Sequence, residues 1–281
     1  MTLREEGIEN TLLRVISDGR KCLVPYITGG FDGYLEAISA AAEAGANAIE
    51  IGIPFSDPVM DGPTIQEAND LVLSAGVTPL QIIDEIASLD VDIPLAVMTY
   101  YNVVYRFGLE RFASYLSEAK ISGAILPDLP LVEANSWKSA ADMKNREAIL
   151  FAAPTTTQEH LEEVCKETKG FVYAVGLLGT TGARKKLAEG AKIIAGRCKE
   201  ITKKPVLVGV GIGAPDQAVE VSKVSDGCIV GSAIVQQLLD GGGPEAVGKL
   251  VAEFRSALDN CLLYTSPSPR DATLSRMPSS A

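Results

Sequence analysis

Eight short apolar runs, rich in β-branched and aromatic residues, recur along this chain and constrain its fold more than any other feature. They are CLVPYIT (22–28), NAIEIGI (47–53), PLAVMTY (94–100), GAILPD (123–128), AILFAAP (148–154), GFVYAV (170–175), PVLVGVG (205–211) and DGCIVGS (226–232). Helical patterns lie between them. Residues 32–45 offer Asp32 as N-cap, Leu35, Ile38 and Ala42 on one face, and Gly45 as the stop. Residues 244–258 place Val247, Leu250, Val251, Phe254 and Leu258 at helical spacing behind Pro244. Near-continuous apolar strands that alternate with helices imply a parallel sheet. Eight βα units in roughly 240 residues imply a closed (βα)8 TIM barrel. An open doubly wound sheet is the alternative, but it needs fewer units.

A short amphipathic helix precedes the first strand, with Leu12, Leu13 and Ile16 on one face. The reading is therefore one α/β domain over residues 1–261 with an extra N-terminal helix. Residues 262–281, eight of them Ser or Pro, show no period. They read as a disordered tail, or as a translated linker rather than native sequence.

The formal net charge of −11 argues against a nucleic-acid or anionic membrane partner. No apolar run approaches the ~18 residues of a spanning helix. Five cysteines, an odd number with no C-x-x-C pair, argue against a disulfide framework or a metal site and fit a reducing cytoplasm. The one histidine, His160, follows Thr156 and Glu159 at capping-box spacing and reads as a residue in the first turn of a surface helix. Acid–base chemistry must then rest on carboxylates, lysines or tyrosines.

Glu50 is the anomaly. In NAIEIGI, Ile49, Ile51 and Ile53 share one face of the strand, and Ala48, Glu50 and Gly52 share the other. The isoleucines suit the layer between strands and helices, which turns Glu50 into the barrel between two small neighbours that leave open volume around it. The strands offer almost no basic residue to pair with it. An unpaired carboxylate in an apolar barrel mouth has a raised pKa and suits general acid–base work. Asp57 and Asp61 follow in the loop beyond, where active sites of this fold lie. Asp57, before Pro58, reads equally well as a turn former. Asp61 is the second candidate carboxylate.

A phosphate anchor is legible at the far end. GVGIGAPDQ (209–217) and VGSAIVQQL (230–238 with Leu239 beyond) each end a strand in glycine and open a helix. Glycines let backbone N–H groups approach a phosphate, and a helix opening at Ser232 adds its dipole. GLLGTTGARKK (176–186) reads as a lid. Lys185, Lys186 and Lys192 read as solvated helix charges.

These residues together resemble the α subunit of tryptophan synthase. EIGIPFSDPVMDGPTIQ is the most specific match, joined in order by VPYITGG, VYAVGLLGTTG, GVGIGAPDQ and VGSAIV. The resemblance implies a cofactor-free lyase that cleaves indole-3-glycerol phosphate to indole and glyceraldehyde 3-phosphate. It implies that Glu50 moves protons to the indole ring and from the glycerol hydroxyl, and that Asp61 stabilises the protonated ring at its nitrogen. Tyr173 matches a tyrosine beside the substrate, and Tyr26 and Tyr100 match pocket walls. Gly182, Gly211, Gly231 and Ser232 match phosphate positions, and Thr181 a lid threonine that meets Asp61. Asp57 and Pro58 match the edge facing a β subunit, with an αββα heterotetramer expected. The chain departs from the family pattern at Gly30-Phe31-Asp32 and at Gly176-Leu177-Leu178. An allosteric partner nearly inactive alone, a free-standing indole-releasing lyase and another phosphosugar isomerase barrel are the alternatives.

Overall fold

All eight expected strands form, and they close. In this computed structural model, which describes residues 6–176, 184–209 and 211–265 with the side chains of 184–188 and 261–265 left out, the strands run in sequence order around a closed parallel barrel. They are β1 (Cys22–Thr28), β2 (Ile49–Gly52), β3 (Leu95–Met98), β4 (Gly123–Ile125), β5 (Glu147–Ala152), β6 (Val172–Ala174), β7 (Val206–Val208) and β8 (Gly227–Val230). Pairing of Cys22 with Gly227 and of Pro25 with Val230 closes the ring. A methyl added at Gly227 would run into the backbone carbonyl of Cys22, which cannot rotate away. Gly227→Ala is therefore expected to cost about 1–3 kcal/mol, read as a lower midpoint in urea unfolding.

The helices are α1 (Ile8–Ser17), α2 (Tyr34–Glu43), α3 (Pro63–Ser74), α4 (Pro79–Ala87), α5 (Tyr101–Phe107), α6 (Leu109–Glu118), α7 (Asn135–Met143), α8 (Gln158–Glu167), α9 (Arg184–Ile201), α10 (Pro215–Ser222), α11 (Ser232–Leu239) and α12 (Gly243–Thr265). The long interval after β2 is filled by two helices, α3 and α4, each with a proline in its first turn.

Alternation along the strands sorts two apolar layers. Ile27, Ile49, Ile51, Leu95, Val97, Val206 and Val208 pack outward against the helices. Ala48, Ala96, Ile125, Ile149, Phe171, Leu207 and Ile229 fill the barrel. Ile8 and Leu12 of α1 join that inner set, so the N-terminal helix stoppers the barrel. Leu12 is buried, whereas Leu13 and Ile16 are half-buried. The first backbone N–H groups of α1, those of Ile8 and Glu9, donate to the Glu147 carboxylate at 2.7 and 2.9 Å. An anion at a helix N-terminus meets both its unpaired donors and its dipole.

Two expected caps move. Asp32 does not cap α2: Gly33, left-handed at φ 72, precedes Tyr34, and no side chain caps the helix. The left-handed turn sets Asp32 outside the first turn, exposed, while Tyr34 is buried with its hydroxyl donating to Glu85 at 2.6 Å. Gly45 does stop α2, at φ 101. For α8 the cap is Thr157 rather than Thr156, whose hydroxyl accepts from Ala153 N–H instead. His160 N–H donates to Thr157 Oγ1, which places His160 in the first turn, exposed. The last helix runs to Thr265, beyond the Leu258 that closes its apolar stripe. The tail after 265 and the lid residues Thr181 and Gly182 lie outside the described residues. Among the described residues, no helix is long and apolar enough to cross a membrane.

Candidate active site

One cavity of about 340 Å³ opens at the C-terminal ends of the strands. It gathers Glu50 from β2, Asp61 from the loop beyond it, Tyr26 from β1 and Tyr173 from β6. Gly211, Gly231 and Ser232, from the loops after β7 and β8, line the same cavity. Met98, Phe151, Ile212 and Ile229 supply apolar wall.

Glu50 is 1% exposed and faces inward, as the alternation of its strand requires. Among the described residues its hydrogen-bond partner is the Tyr173 hydroxyl, 3.5 Å from Oε2, and Oε1 has none. Burial, and then the negative charge of Asp61, push its carboxyl up to about 8, against the pull of the Tyr173 hydroxyl. Asp61 is less enclosed. Burial raises it to about 6, and hydrogen bonds from Asn69 and Tyr100 oppose the rise. Near pH 7 the pair is thus split into a protonated Glu50 and an ionised Asp61. Environments that push two carboxyls apart in this way assign the acid and the base.

The volume around Glu50 differs from the expectation. Gly52 does not leave empty space: the ring of Tyr26 occupies the room above it, and a methyl there would collide with the tyrosine hydroxyl. The same arrangement recurs across the barrel, where the Tyr173 ring lies over Gly209. The register explains both. Tyr26 pairs with Glu50, two residues before Gly52, and Tyr173 with Leu207, two before Gly209. Each ring leans along its strand direction onto the glycine of its neighbour. The free volume therefore lies above the two tyrosines, bounded by Met98, Phe151 and Ile212.

Tyr100 is placed differently from Tyr26 and Tyr173. It does not line the cavity; it stacks on Phe55 at 5.1 Å between ring centroids and accepts a hydrogen bond from Met60 N–H at 2.9 Å. It holds the loop that carries Asp61. Asp57 and Pro58 lie on that loop, Asp57 exposed and bonded to Ser56, and Pro58 accepting from Asp61 N–H at 3.0 Å. Lys192 is a half-buried helix charge paired with Glu220.

Among the described residues, the candidate phosphate end has no basic side chain in its lining. Its donors are backbone: Gly211 is left-handed at φ 65, and Gly231 precedes α11, which opens at Ser232. Unpaired N–H groups at a helix start suit an anion. Asn69, Phe151, Met98 and Ile212 were not singled out by sequence reasoning. Asn69 is an inward polar residue in the middle of α3, and the inward face of α3 carried the signal.

The profile of the family described as tryptophan synthase alpha chain matches residues 12–259. The chain belongs to the tryptophan synthase alpha chain family. The alpha chain of Streptomyces coelicolor is 39% identical over 256 residues, covering 88% of this chain and 94% of the relative. That of Methanosarcina mazei is 41% identical over 241 residues, covering 84% and 88%. Among solved structures, a tryptophan synthase chain of Mycobacterium tuberculosis superposes with a TM-score of 0.82 at 33% identity, over 89% of this chain and 97% of that one. The alpha-chain family thus extends over the whole barrel, including every described cavity residue named above.

Proposed function

We propose that the chain is a lyase that cleaves indole-3-glycerol phosphate to indole and glyceraldehyde 3-phosphate, the α reaction of tryptophan synthase, without a cofactor. The observation that carries this reading is the split carboxyl pair in an apolar cavity that the glycine-and-serine loops after β7 and β8 also line. Protonated Glu50 delivers its proton to the ring carbon that bears the glycerol chain. The positive charge that develops reaches the ring nitrogen, where ionised Asp61 stabilises it. Glu50, now a carboxylate, takes the proton of the hydroxyl on the adjoining carbon. That oxygen's electrons form the aldehyde, the carbon–carbon bond breaks and its electrons return to the ring. Glu50 ends protonated, as it began. Tyr26 and Tyr173 flank the ring, and Gly211, Gly231 and Ser232 hold the phosphate.

The partner is a tryptophan synthase β subunit, in an αββα assembly, and the setting is the cytoplasm, which suits the free thiols of Cys22, Cys165, Cys198 and Cys228. Val59 (74% exposed), Tyr105 (68%) and Val132 (68%) follow β2, β3 and β4, on the same end of the barrel as the cavity. Exposed apolar side chains gathered on one face mark a docking surface, and Asp57 and Pro58 adjoin Val59. This surface also favours a second reading, in which the isolated chain is nearly inactive until the β subunit docks.

Indole release from indole-3-glycerol phosphate, followed while a β subunit is titrated in, tests both. Turnover that rises on titration supports the lyase with its partner. Full turnover alone, unchanged by titration, rejects the second reading and leaves a free-standing lyase. No indole at any ratio, with turnover of another phosphosugar, rejects the proposed function.

A further inference from the structure

Asn69 stands in the middle of α3, is 2% exposed and faces the barrel mouth beside Ala68 and Val72. Its Nδ2 donates to Asp61 Oδ2 at 3.1 Å, while its Oδ1 is buried with no partner among the described residues. A short amide is a poor choice for a helix interior, and a buried amide oxygen without a donor is costly. Neither property serves the packing of α3. Gln66, one turn earlier, already ties its amide to the Asp61 carbonyl at 2.8 Å, so the loop does not need Asn69 to stay closed on the helix.

We propose that Asn69 is a positioning residue for Asp61, and that it holds the carboxyl in both protonation states by turning one or the other end of its amide toward it. The proposal rests on the lyase reading above. Facing a carboxylate, which only accepts, the amide presents Nδ2. Facing the carboxylic acid, which donates through its O–H, it presents Oδ1. A half-turn about one side-chain bond exchanges the two, and the unpartnered Oδ1 is the acceptor kept for the second state. The contact holds Asp61 in one rotamer, which Tyr100 also bonds.

The groups that face Asp61 are Glu50 on β2, Tyr26 on β1, Tyr173 on β6 and Tyr100 at the end of the loop after β3. No cation is among them in the described residues. Its anionic form therefore depends on the donors of Asn69 and Tyr100. Of the two bonds that the Asn69 amide can make, the one to the carboxylate is charge-assisted and the stronger. Loss of Asn69 therefore destabilises the anion more than the acid, its pKa rises, and the acid limb of the activity profile moves to higher pH.

The test uses the full chain with its β subunit and two variants close to Asn69 in size, Asn69→Leu and Asn69→Asp. Wild-type protein must first release indole; failure there rejects the lyase reading and not this one alone. With wild-type turnover in hand, Asn69→Leu is expected to lose ~10-fold in kcat with KM changed less than ~3-fold. Its acid limb should move upward by about half a pH unit or more. Asn69→Asp, which adds a like charge and folds around the same shape, should move the limb further. In an Asp61→Asn background, Asn69→Leu should cost no further activity beyond ~2-fold, because its partner is already gone. An unmoved acid limb in both variants, or an equal loss with and without the Asp61 carboxylate, overturns the proposal.

Discussion

Replacing Glu50 with glutamine is expected to abolish most turnover and, in the same protein, to raise its stability at alkaline pH. The activity loss follows from removal of the proton carrier and should reach at least ~10²-fold in kcat. The stability gain follows from burial. Glu50 is pushed up to about 8 when folded, against an ordinary value of 4.5 for a solvated glutamate. The folded chain therefore grips this proton more tightly than the unfolded chain does. The stability contributed is fully present below the unfolded value and is lost as pH rises through the folded one. Above pH 8 wild-type protein carries an ionised carboxylate with one long hydrogen bond in an apolar cavity. Glutamine never ionises. After allowance for its own unmet amide groups, the gain should be on the order of 2 kcal/mol at pH 9 and vanish near pH 4. Denaturant unfolding of both proteins at the two pH values reads it. Equal stability at pH 9 contradicts the raised value, and unchanged kcat contradicts the role given to Glu50.

Adding one methyl at Gly52 is expected to damage the site as severely as many polar substitutions. The new Cβ would overlap the hydroxyl and ring of Tyr26, which is 3% exposed and has no room to retreat except into the cavity. Overpacking of this kind costs about 1–3 kcal/mol. The displaced ring would enter the volume meant for substrate, so KM should rise ~10-fold or more while kcat falls. Gly209→Ala should act alike through Tyr173. Gly196→Ala is the control. Its Cβ would meet nothing within 4 Å on α9, so stability should hold or rise by up to ~1 kcal/mol, with activity unchanged. Normal KM and stability in Gly52→Ala would show that the tyrosine does not depend on the glycine beneath it.

The barrel was legible because its strands are apolar on both faces and their count is eight. Glu50 was legible for the same reason: a carboxylate on the small-residue face of an isoleucine strand has few structural explanations. Two things were missed. The relation of Tyr26 to Gly52, and of Tyr173 to Gly209, depends on inter-strand register, which the closure of the barrel sets and no single strand encodes. Gly52 therefore read as open space when it is a seat for a ring. Asn69 was overlooked because a polar residue on a helix is ordinarily solvated, although it shares the inward face of α3 with Ala68 and Val72, which the barrel mouth buries. The displaced caps, Gly33 for Asp32 and Thr157 for Thr156, are local choices between adjacent turn residues. The phosphate end was legible as glycine followed by a helix, though only the lining of the cavity showed that no basic side chain among the described residues joins it.

A structure of Glu50→Gln in complex with indole-3-glycerol phosphate tests the central claim most directly, because the slowed variant retains the substrate. The indole ring should lie above Tyr26 and Tyr173, with its nitrogen within hydrogen-bond distance of Asp61 and its substituted carbon facing residue 50. The phosphate should rest on the backbone of Gly211, Gly231 and Ser232. A ring bound away from Asp61, or a phosphate held elsewhere, would contradict the account.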